Sequence, residues 1–140
     1  MVEDNKVEFE LVAPEQIILS EPVEMVVVPG EEGDFGVLPG HSHLISNIRP
    51  GVIHVFADSQ VQARIFVAGG FAEVTPDRCV VLAEEAMAVD DIDREAIDRE
   101  IGELNDDLKD ADDAITRALV ENKLKVAHAK IEASQHLLYQ

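Results

Sequence analysis

The uneven distribution of proline and glycine constrains the fold of this chain more than any other feature of its sequence. All six prolines and seven of the eight glycines precede residue 90, and the rest of the chain contains only Gly102. Proline interrupts helices and glycine weakens their interiors, whereas both residues favour turns. The first part should therefore be rich in turns, whereas the second part can form long helices. We predict two domains, residues 1–88 and residues 89–140.

The first part has the pattern of a protein made of short β-strands. Turn signals such as Pro39-Gly40 recur about every ten residues, which is the strand spacing of sandwiches and barrels. Between residues 7 and 11, apolar residues alternate with glutamates, and this alternation predicts a strand with one exposed face. The unbroken apolar run at residues 79–82 predicts a strand buried on both faces. The pattern favours a β-sandwich or barrel over a parallel α/β sheet.

The second part has the pattern of helices. Asp90 or Asp91 can cap a first helix, and further acidic residues crowd its first turn, where the helix dipole favours them. An apolar seam with spacings of three and four residues follows; its members are Ile97, Ile101, Leu104, Leu108, Ala111 and Ile115. The seam then loses phase, which indicates either a stutter within one helix or a break between two helices.

The distribution of charge favours a break between two helices over a stutter within one. Residues 90–113 carry twelve acidic and three basic residues, whereas residues 114–140 carry two acidic and four basic residues. An acidic helix and a mildly basic helix would pair as an antiparallel hairpin. Exposed ion pairs contribute only about 0–1 kcal/mol each, so we expect a hairpin that can open.

Composition argues against several classes of function. The formal net charge is -18 at pH 7, whereas binding to phosphate backbones or anionic lipid surfaces needs clustered Lys and Arg. The single cysteine, Cys79, excludes an internal disulfide and fits a reducing compartment; its apolar surroundings predict a buried, unreactive thiol. We find no signal peptide, no apolar run long enough to cross a bilayer, no phosphate-binding loop that ends in Lys and no nucleophile elbow.

One histidine pair offers an alternative function. His41 and His43 are two residues apart, and on a strand both would point to the same face, as in a cupin-type metal site. No carboxylate follows between residues 44 and 49, and His54 is a distant third ligand. The competing interpretation is a pair of turn histidines. The histidine pair therefore leaves open a small metal-dependent β-sandwich enzyme. A second alternative is a free adaptor that binds one helical partner. Metal analysis of the purified protein would identify the enzyme, because only the enzyme should contain stoichiometric metal.

Three segments carry a family resemblance. Residues 28–44 read VPGEEGDFGVLPGHSHL, residues 49–51 read RPG, and GGFAEV at residues 69–74 is followed by VVLAE at residues 80–84. In order and spacing these segments strongly resemble the epsilon subunits of F-type ATP synthases, whose mitochondrial counterpart is called delta. The resemblance covers essentially the whole chain and is weaker in the helical part.

The resemblance implies both a fold and a role. The fold is a flattened β-sandwich of about ten strands followed by an antiparallel α-helical hairpin. The implied role is that of a non-catalytic rotor subunit in the central stalk, which binds the gamma subunit and the ring of c subunits and couples ring rotation and proton flow to ATP synthesis. The implied location is peripheral, at the cytoplasmic face of a bacterial inner membrane; the alternative is the corresponding subunit of an organelle, whose mature chain would have the same sequence features. The resemblance also implies that the hairpin can extend along gamma and inhibit ATP hydrolysis, as it does in many bacteria.

The resemblance further assigns surfaces to residues of this chain. The turns that face the c ring and gamma are implied to contain Glu31, Glu32, Gly33, Asp34, Phe35, Pro39, Gly40 and His41. Phe71 and Val74 would belong to an apolar surface that faces gamma. The cations of the last helix, which could meet acidic groups of the alpha/beta catalytic head, are Arg117, Lys123, Lys125 and Lys130. Charge reversal at Asp34 should weaken the coupling of the catalytic head to the ring.

The resemblance also bears on cofactors. Family members that bind ATP carry an I-D-x-x-R-A element at the first helix. Here residues 92–97 begin this element correctly, but Ala96 stands where the arginine belongs. A displaced guanidinium, such as that of Arg94 or Arg99, does not reach the same phosphate by default. We therefore expect weak or absent ATP binding by the hairpin, and no cofactor or metal.

Overall fold

Eight β-strands make up the first part of the computed structural model, which describes residues 5–135. Each strand is short except the last two, which have 16 and 11 residues. The strands are β1 (Val7–Ala13), β2 (Gln16–Val23), β3 (Met25–Gly30), β4 (Gly33–Val37), β5 (Leu44–Asn47), β6 (Gly51–Ala57), β7 (Gln60–Thr75) and β8 (Arg78–Ala88).

The two long strands run through both layers of the sandwich. The strand order is β2-β1-β8-β7-β6-β3-β4, and β5 pairs with β7. The first half of β7 pairs with β6 and its second half with β5, while β1 lies parallel to the first half of β8. If β7 and β8 are counted in both layers, the eight strands correspond to the ten of the expected sandwich. The predicted β-sandwich followed by helices is confirmed.

Glycine is required where β7 changes layer. Gly69 and Gly70 have φ values of +73° and +99°, in the region that side chains disfavour. Gly70 also packs so closely against β8 that an added Cβ would overlap the carbonyl oxygen of Leu82. The pair therefore permits a bend without ending the pairing with β8, which continues on both sides of it.

The core lies between the two layers. Val7, Phe9 and Leu11 are buried and alternate with partly exposed glutamates, as predicted for β1. The prediction for residues 79–82 is wrong, because only Cys79 and Val81 are buried, whereas Leu82 is 39% exposed. The reason is that β8 is an inner strand of a two-layer sandwich, so its outer face has no further layer of the described chain over it.

Two helices follow the sandwich. The chain leaves β8 at Ala88, forms a short 3-10 helix at Val89–Asp91, and continues into α1 (Arg94–Asp110) and α2 (Ala114–Gln135). The predicted break between two helices is thus confirmed, and the stutter is excluded. The predicted cap of the first helix is wrong, since Asp93 accepts from the Ala96 amide at 3.2 Å and Asp90 and Asp91 lie in the 3-10 turn.

The cap of α2 is made by one side chain. The Asp113 carboxylate accepts from the Thr116 amide at 2.6 Å and from the Thr116 hydroxyl at 3.1 Å. The hydrogen bond from the amide, and after it the one from the hydroxyl, hold the pKa of Asp113 below its usual value. A charged carboxylate at the start of a helix is also favoured by the helix dipole.

The two helices pack against each other along one seam. Ile97 and Leu104 of α1 contact a buried set on α2 that consists of Val120, Leu124 and Ala127. At the open end of the hairpin, the Arg94 guanidinium donates to the side-chain oxygen of Gln135 at 2.7 Å when that amide is oriented to accept. Ile115 is exposed, although the sequence pattern placed it in the seam, because α1 has already ended at Asp110. No helix within residues 5–135 is both long and apolar enough to span a membrane.

Candidate docking surfaces

The turn between β3 and β4 carries a cluster of acidic side chains, which we call the acidic tip: Glu31, Glu32 and Asp34. All three are exposed, and Gly33 between them has a φ of +139°. The tip is held by the last residue of β5 and by the segment that joins β5 to β6. The Asn47 amide donates to Glu31 at 3.1 Å, and Arg49 donates to Asp34 at 2.5 Å.

Arg49 is the residue that fixes the shape of the acidic tip. Its second guanidinium nitrogen donates to the Gly30 carbonyl at 2.6 Å, so one side chain joins both strands of the turn. The Asp34 charge is therefore compensated within the chain. Glu32 makes no hydrogen bond or ion pair with any other residue of the described part, which leaves its carboxylate free to meet a partner. Sequence reasoning noted the RPG segment but missed this role of Arg49.

Pro39, Gly40 and His41 lie at the other end of the sandwich. The Gly40 amide donates to the Pro76 carbonyl at 2.6 Å, next to the turn between β7 and β8. The acidic tip instead adjoins Asn47, which pairs with Phe71. Four residues of extended strand lie between Phe71 and Pro76, which are therefore about 16 Å apart. The structure therefore does not bring the two groups of turn residues together, and Phe35 lies half-buried on the strand between them.

The histidine pair does not have the geometry that the metal interpretation required. His41 and His43 precede β5 and lie outside any strand, so the argument from strand alternation is wrong for them. The Nδ1 atom of His41 lies 2.7 Å from the Ser42 carbonyl oxygen. His54 is on β6, in register with Arg64, and is not part of this loop. Across residues 5–135, no three His, Cys, Asp or Glu side chains are grouped so that they could hold a metal ion.

His54 is buried beneath α2. It is 4% exposed and lines a cavity of about 150 Å³ together with Asp34, Arg49 and Glu132. Burial lowers the pKa of His54, and the positive charge of Arg64 lowers it further, whereas Asp34 opposes the shift. The surroundings beneath the helix therefore favour the neutral form of the imidazole.

An apolar stripe crosses the outer face of the layer that contains β1. Phe71 on β7 pairs with Leu82 on β8, Leu82 with Val12 on β1, and Val12 with Ile17 on β2. Ile17 is 64% exposed, and both Phe71 and Leu82 are 39% exposed. We call Val12, Ile17, Phe71 and Leu82 the apolar stripe. Glu10 and Glu73 lie on the same face, in the neighbouring row of the sheet.

Val74 does not belong to that face. It is 1% exposed and packs in the core between the layers, because it alternates with Glu73 along β7. The prediction that Val74 faces gamma is therefore corrected. Leu82 and Ile17 were missed by sequence reasoning, although the apolar run that contains Leu82 was the available signal.

The four cations of α2 differ in accessibility. Arg117, Lys123 and Lys125 are exposed. The Lys130 side chain is only 12% exposed; its ammonium group pairs with Glu85 of β8 and lies 5.8 Å from the centre of the Phe66 ring. Three of the four cations are thus accessible to a partner in this conformation.

The single thiol is chemically inert in this fold. Cys79 is fully buried in the core of the sandwich. Burial raises its pKa to about 12. A thiol that stays protonated at neutral pH is a poor nucleophile.

Comparison with known proteins gives consistent results. Residues 6–89 match the family described as ATP synthase, Delta/Epsilon chain, beta-sandwich domain. The chain is 50% identical to the ATP synthase epsilon chain of Rhodospirillum centenum over 133 residues, which cover 91% of each chain. It is also 50% identical to the epsilon chain of Rhodospirillum rubrum over 126 residues, which cover 90% of this chain and 94% of the relative.

Solved structures share the fold. A chain of the mitochondrial ATP synthase of Euglena gracilis superposes with a TM-score of 0.81 at 24% identity, covering 97% of this chain and 84% of that chain. A chain from the central stalk and c ring of the Tetrahymena thermophila enzyme gives a TM-score of 0.70 at 13% identity, covering 96% of this chain and all of that chain. Both likenesses extend over the sandwich and the helices.

Proposed function

Since this chain belongs to the delta/epsilon chain family of ATP synthases, we propose that it couples rotation of the c ring through gamma to ATP synthesis. Its role in the complex is that of a non-catalytic subunit of the central stalk. The observation that carries the proposal is the 50% identity to epsilon chains over nearly the whole length. We propose residues 1–88 as the docking domain and residues 89–140 as the regulatory hairpin.

The apolar stripe is our candidate for the gamma-facing surface. It places one apolar side chain from each of four neighbouring strands in a row on the outer face of the sheet. Contiguous exposed apolar surface of this kind is typical of protein interfaces. The flanking carboxylates of Glu10 and Glu73 favour a partner whose apolar ridge is bordered by basic residues.

The acidic tip is our candidate for the c-ring contact. Arg49 and Asn47 hold its backbone and two of its three carboxylates, so the tip presents a fixed shape. An ordered acidic turn suits basic polar loops on the ring, because complementary charge orients the partners. Pro39, Gly40 and His41, at the other end of the sandwich, are then proposed as a separate contact with gamma.

The hairpin is our candidate for the inhibitor of ATP hydrolysis. The two helices pack on each other along a seam of their own. Arg117, Lys123 and Lys125 are exposed on α2 and could pair with acidic groups of the alpha/beta head. We place the subunit at the cytoplasmic face of a bacterial inner membrane, as a peripheral part of the complex.

Co-purification tests the central proposal. The chain is tagged and extracted gently from its own membranes, and the recovered proteins are identified. We expect the alpha, beta and gamma subunits in one complex. Recovery of the chain alone from membranes that retain an assembled ATP synthase would contradict the proposal.

A further inference from the structure

The hairpin rests on the sandwich through a narrow contact made by α2. Ala129, Ala133 and Val126 of α2 pack against a small cluster centred on Phe66 and Ala68 of β7. The seam between the two helices shares only Ile92 with this cluster, and α2 contributes larger side chains to the seam, such as Leu124, than to the contact with the sandwich. Because burial stabilises roughly in proportion to apolar area, the small docking contact should give way before the hairpin itself comes apart.

Lys130 supplies the polar part of that contact. It lies on α2 directly after Ala129, and it reaches Glu85 on β8 while its ammonium group sits over the Phe66 ring. The Glu85 side chain is 43% exposed, whereas that of Lys130 is 12% exposed. The lysine is thus the more enclosed partner of the pair. It lies in a groove between the hairpin and the sandwich that Glu84, Glu100 and Lys123 also line, and Glu85 is the carboxylate with which it pairs.

We propose that Lys130 is the lock that holds the hairpin on the sandwich, so that this cation can reach a partner carboxylate only after the hairpin has left. The inference rests on the proposed regulatory role of the hairpin. The internal pair with Glu85 and an external pair with a carboxylate cannot form together. A partner that binds Lys130 must therefore shift the population towards the undocked hairpin.

The lock is tested by a distance measurement on the full chain. Spin labels are attached at Gln60→Cys and Glu121→Cys, two exposed positions on the sandwich and on α2, while Cys79 stays buried. Lys130→Glu should lower the ratio of docked to undocked hairpin about tenfold, which corresponds to about 1.4 kcal/mol. The charge swap Glu85→Lys with Lys130→Glu should recover most of the docked population.

Two further variants make the test specific. Lys130→Met keeps the apolar stem but removes the charge, and it should also favour the undocked hairpin. Lys109→Glu makes the same charge change at an exposed site of α1 and should keep the wild-type distances. A wild-type distance distribution in the Lys130→Glu protein would show that Lys130 does not hold the hairpin on the sandwich. A charge swap that recovers none of the docked population would contradict the proposal in the same way.

Acetylation gives a second readout that needs no substitution at Lys130. In the wild-type chain, Lys130 should react about tenfold more slowly than exposed Lys125, and Glu85→Gln should remove much of this protection. Equal rates for the two lysines in the wild-type chain would contradict the lock. Hydrogen exchange in β7 and β8 verifies that each variant retains its sandwich. These measurements use the isolated chain and test only the contact between hairpin and sandwich. The inhibitory role is tested separately, by the ATPase activity of the complex, so either proposal can be contradicted without the other.

Discussion

At the scale of single residues, the fold requires glycine at position 70, and the composition of the chain could not predict that position. The turn signals indicated where strands end, yet Gly69 and Gly70 lie inside β7. The need for glycine arises from the close approach of the β8 backbone, which is a tertiary contact. By contrast, the alternation at residues 7–11 depends only on local pattern, and the sequence was sufficient to predict it.

We predict opposite effects for two glycine substitutions. Gly70→Ala should lower the free energy of unfolding by about 3 kcal/mol or more, because it combines a strained φ with an overlap against Leu82. Gly102→Ala, in open space on α1, should raise it by about 0.5–1 kcal/mol. Denaturant unfolding measures both changes. Equal stability of the Gly70→Ala protein and the wild type would contradict the account of the bend.

We also predict that His54 contributes to the pH dependence of stability. Its pKa is lowered in the folded state, so the unfolded state binds more protons at acidic pH. The free energy of unfolding should therefore fall as the pH drops below about 6.5, and His54→Gln should lose this component. Denaturant midpoints measured across that range give the slope. His43→Gln, on the exposed loop before β5, is the control that should keep it.

At the scale of elements, the acidic tip differs from the cluster of free carboxylates that the sequence indicated, because Asp34 is paired with Arg49. The sequence indicated a cluster of acids in a turn, and the turn was correctly located. The partnership of Asp34 with Arg49 was not predictable, because the two residues meet only when β5 and β6 fold beside β3 and β4. Charge reversal at Asp34 would therefore disturb the tip as well as any partner.

Glu32 allows a cleaner test of the tip. Glu32→Lys should weaken the coupling of the catalytic head to the c ring, measured as ATP-driven proton pumping relative to ATPase activity. Asp34→Asn, which removes the charge paired with Arg49, reports the effect of a disturbed turn. Full coupling in the Glu32→Lys complex would exclude this carboxylate from the ring contact.

The apolar stripe leads to a separate prediction for gamma. Leu82→Lys should weaken the binding of isolated gamma by about tenfold or more, since a charge would replace a central apolar contact. Gln62→Lys, at an exposed site of β7 outside the stripe, is the matched control. Binding isotherms with purified gamma measure both. Unchanged affinity in the Leu82→Lys protein would move the gamma contact away from this face.

At the scale of the whole molecule, the hairpin and the sandwich have separate cores joined by a small contact. Removal of the residues after Val89 should therefore leave the sandwich folded and able to join the complex. If the hairpin inhibits hydrolysis, the complex with the shortened chain should show higher ATPase activity than the complex with the full chain. No increase would exclude inhibition by the hairpin.

The strand order has a consequence for biosynthesis. β1 lies between β2 and β8 and pairs in parallel with β8. This early strand therefore lacks one of its two neighbours until β8, the last strand of the sandwich, has been synthesised. Pairing between such distant segments is slow compared with local contacts. The hairpin, made of neighbouring helices, can form quickly once its residues have emerged. The nascent chain therefore has no complete sandwich until nearly two thirds of its 140 residues have been translated.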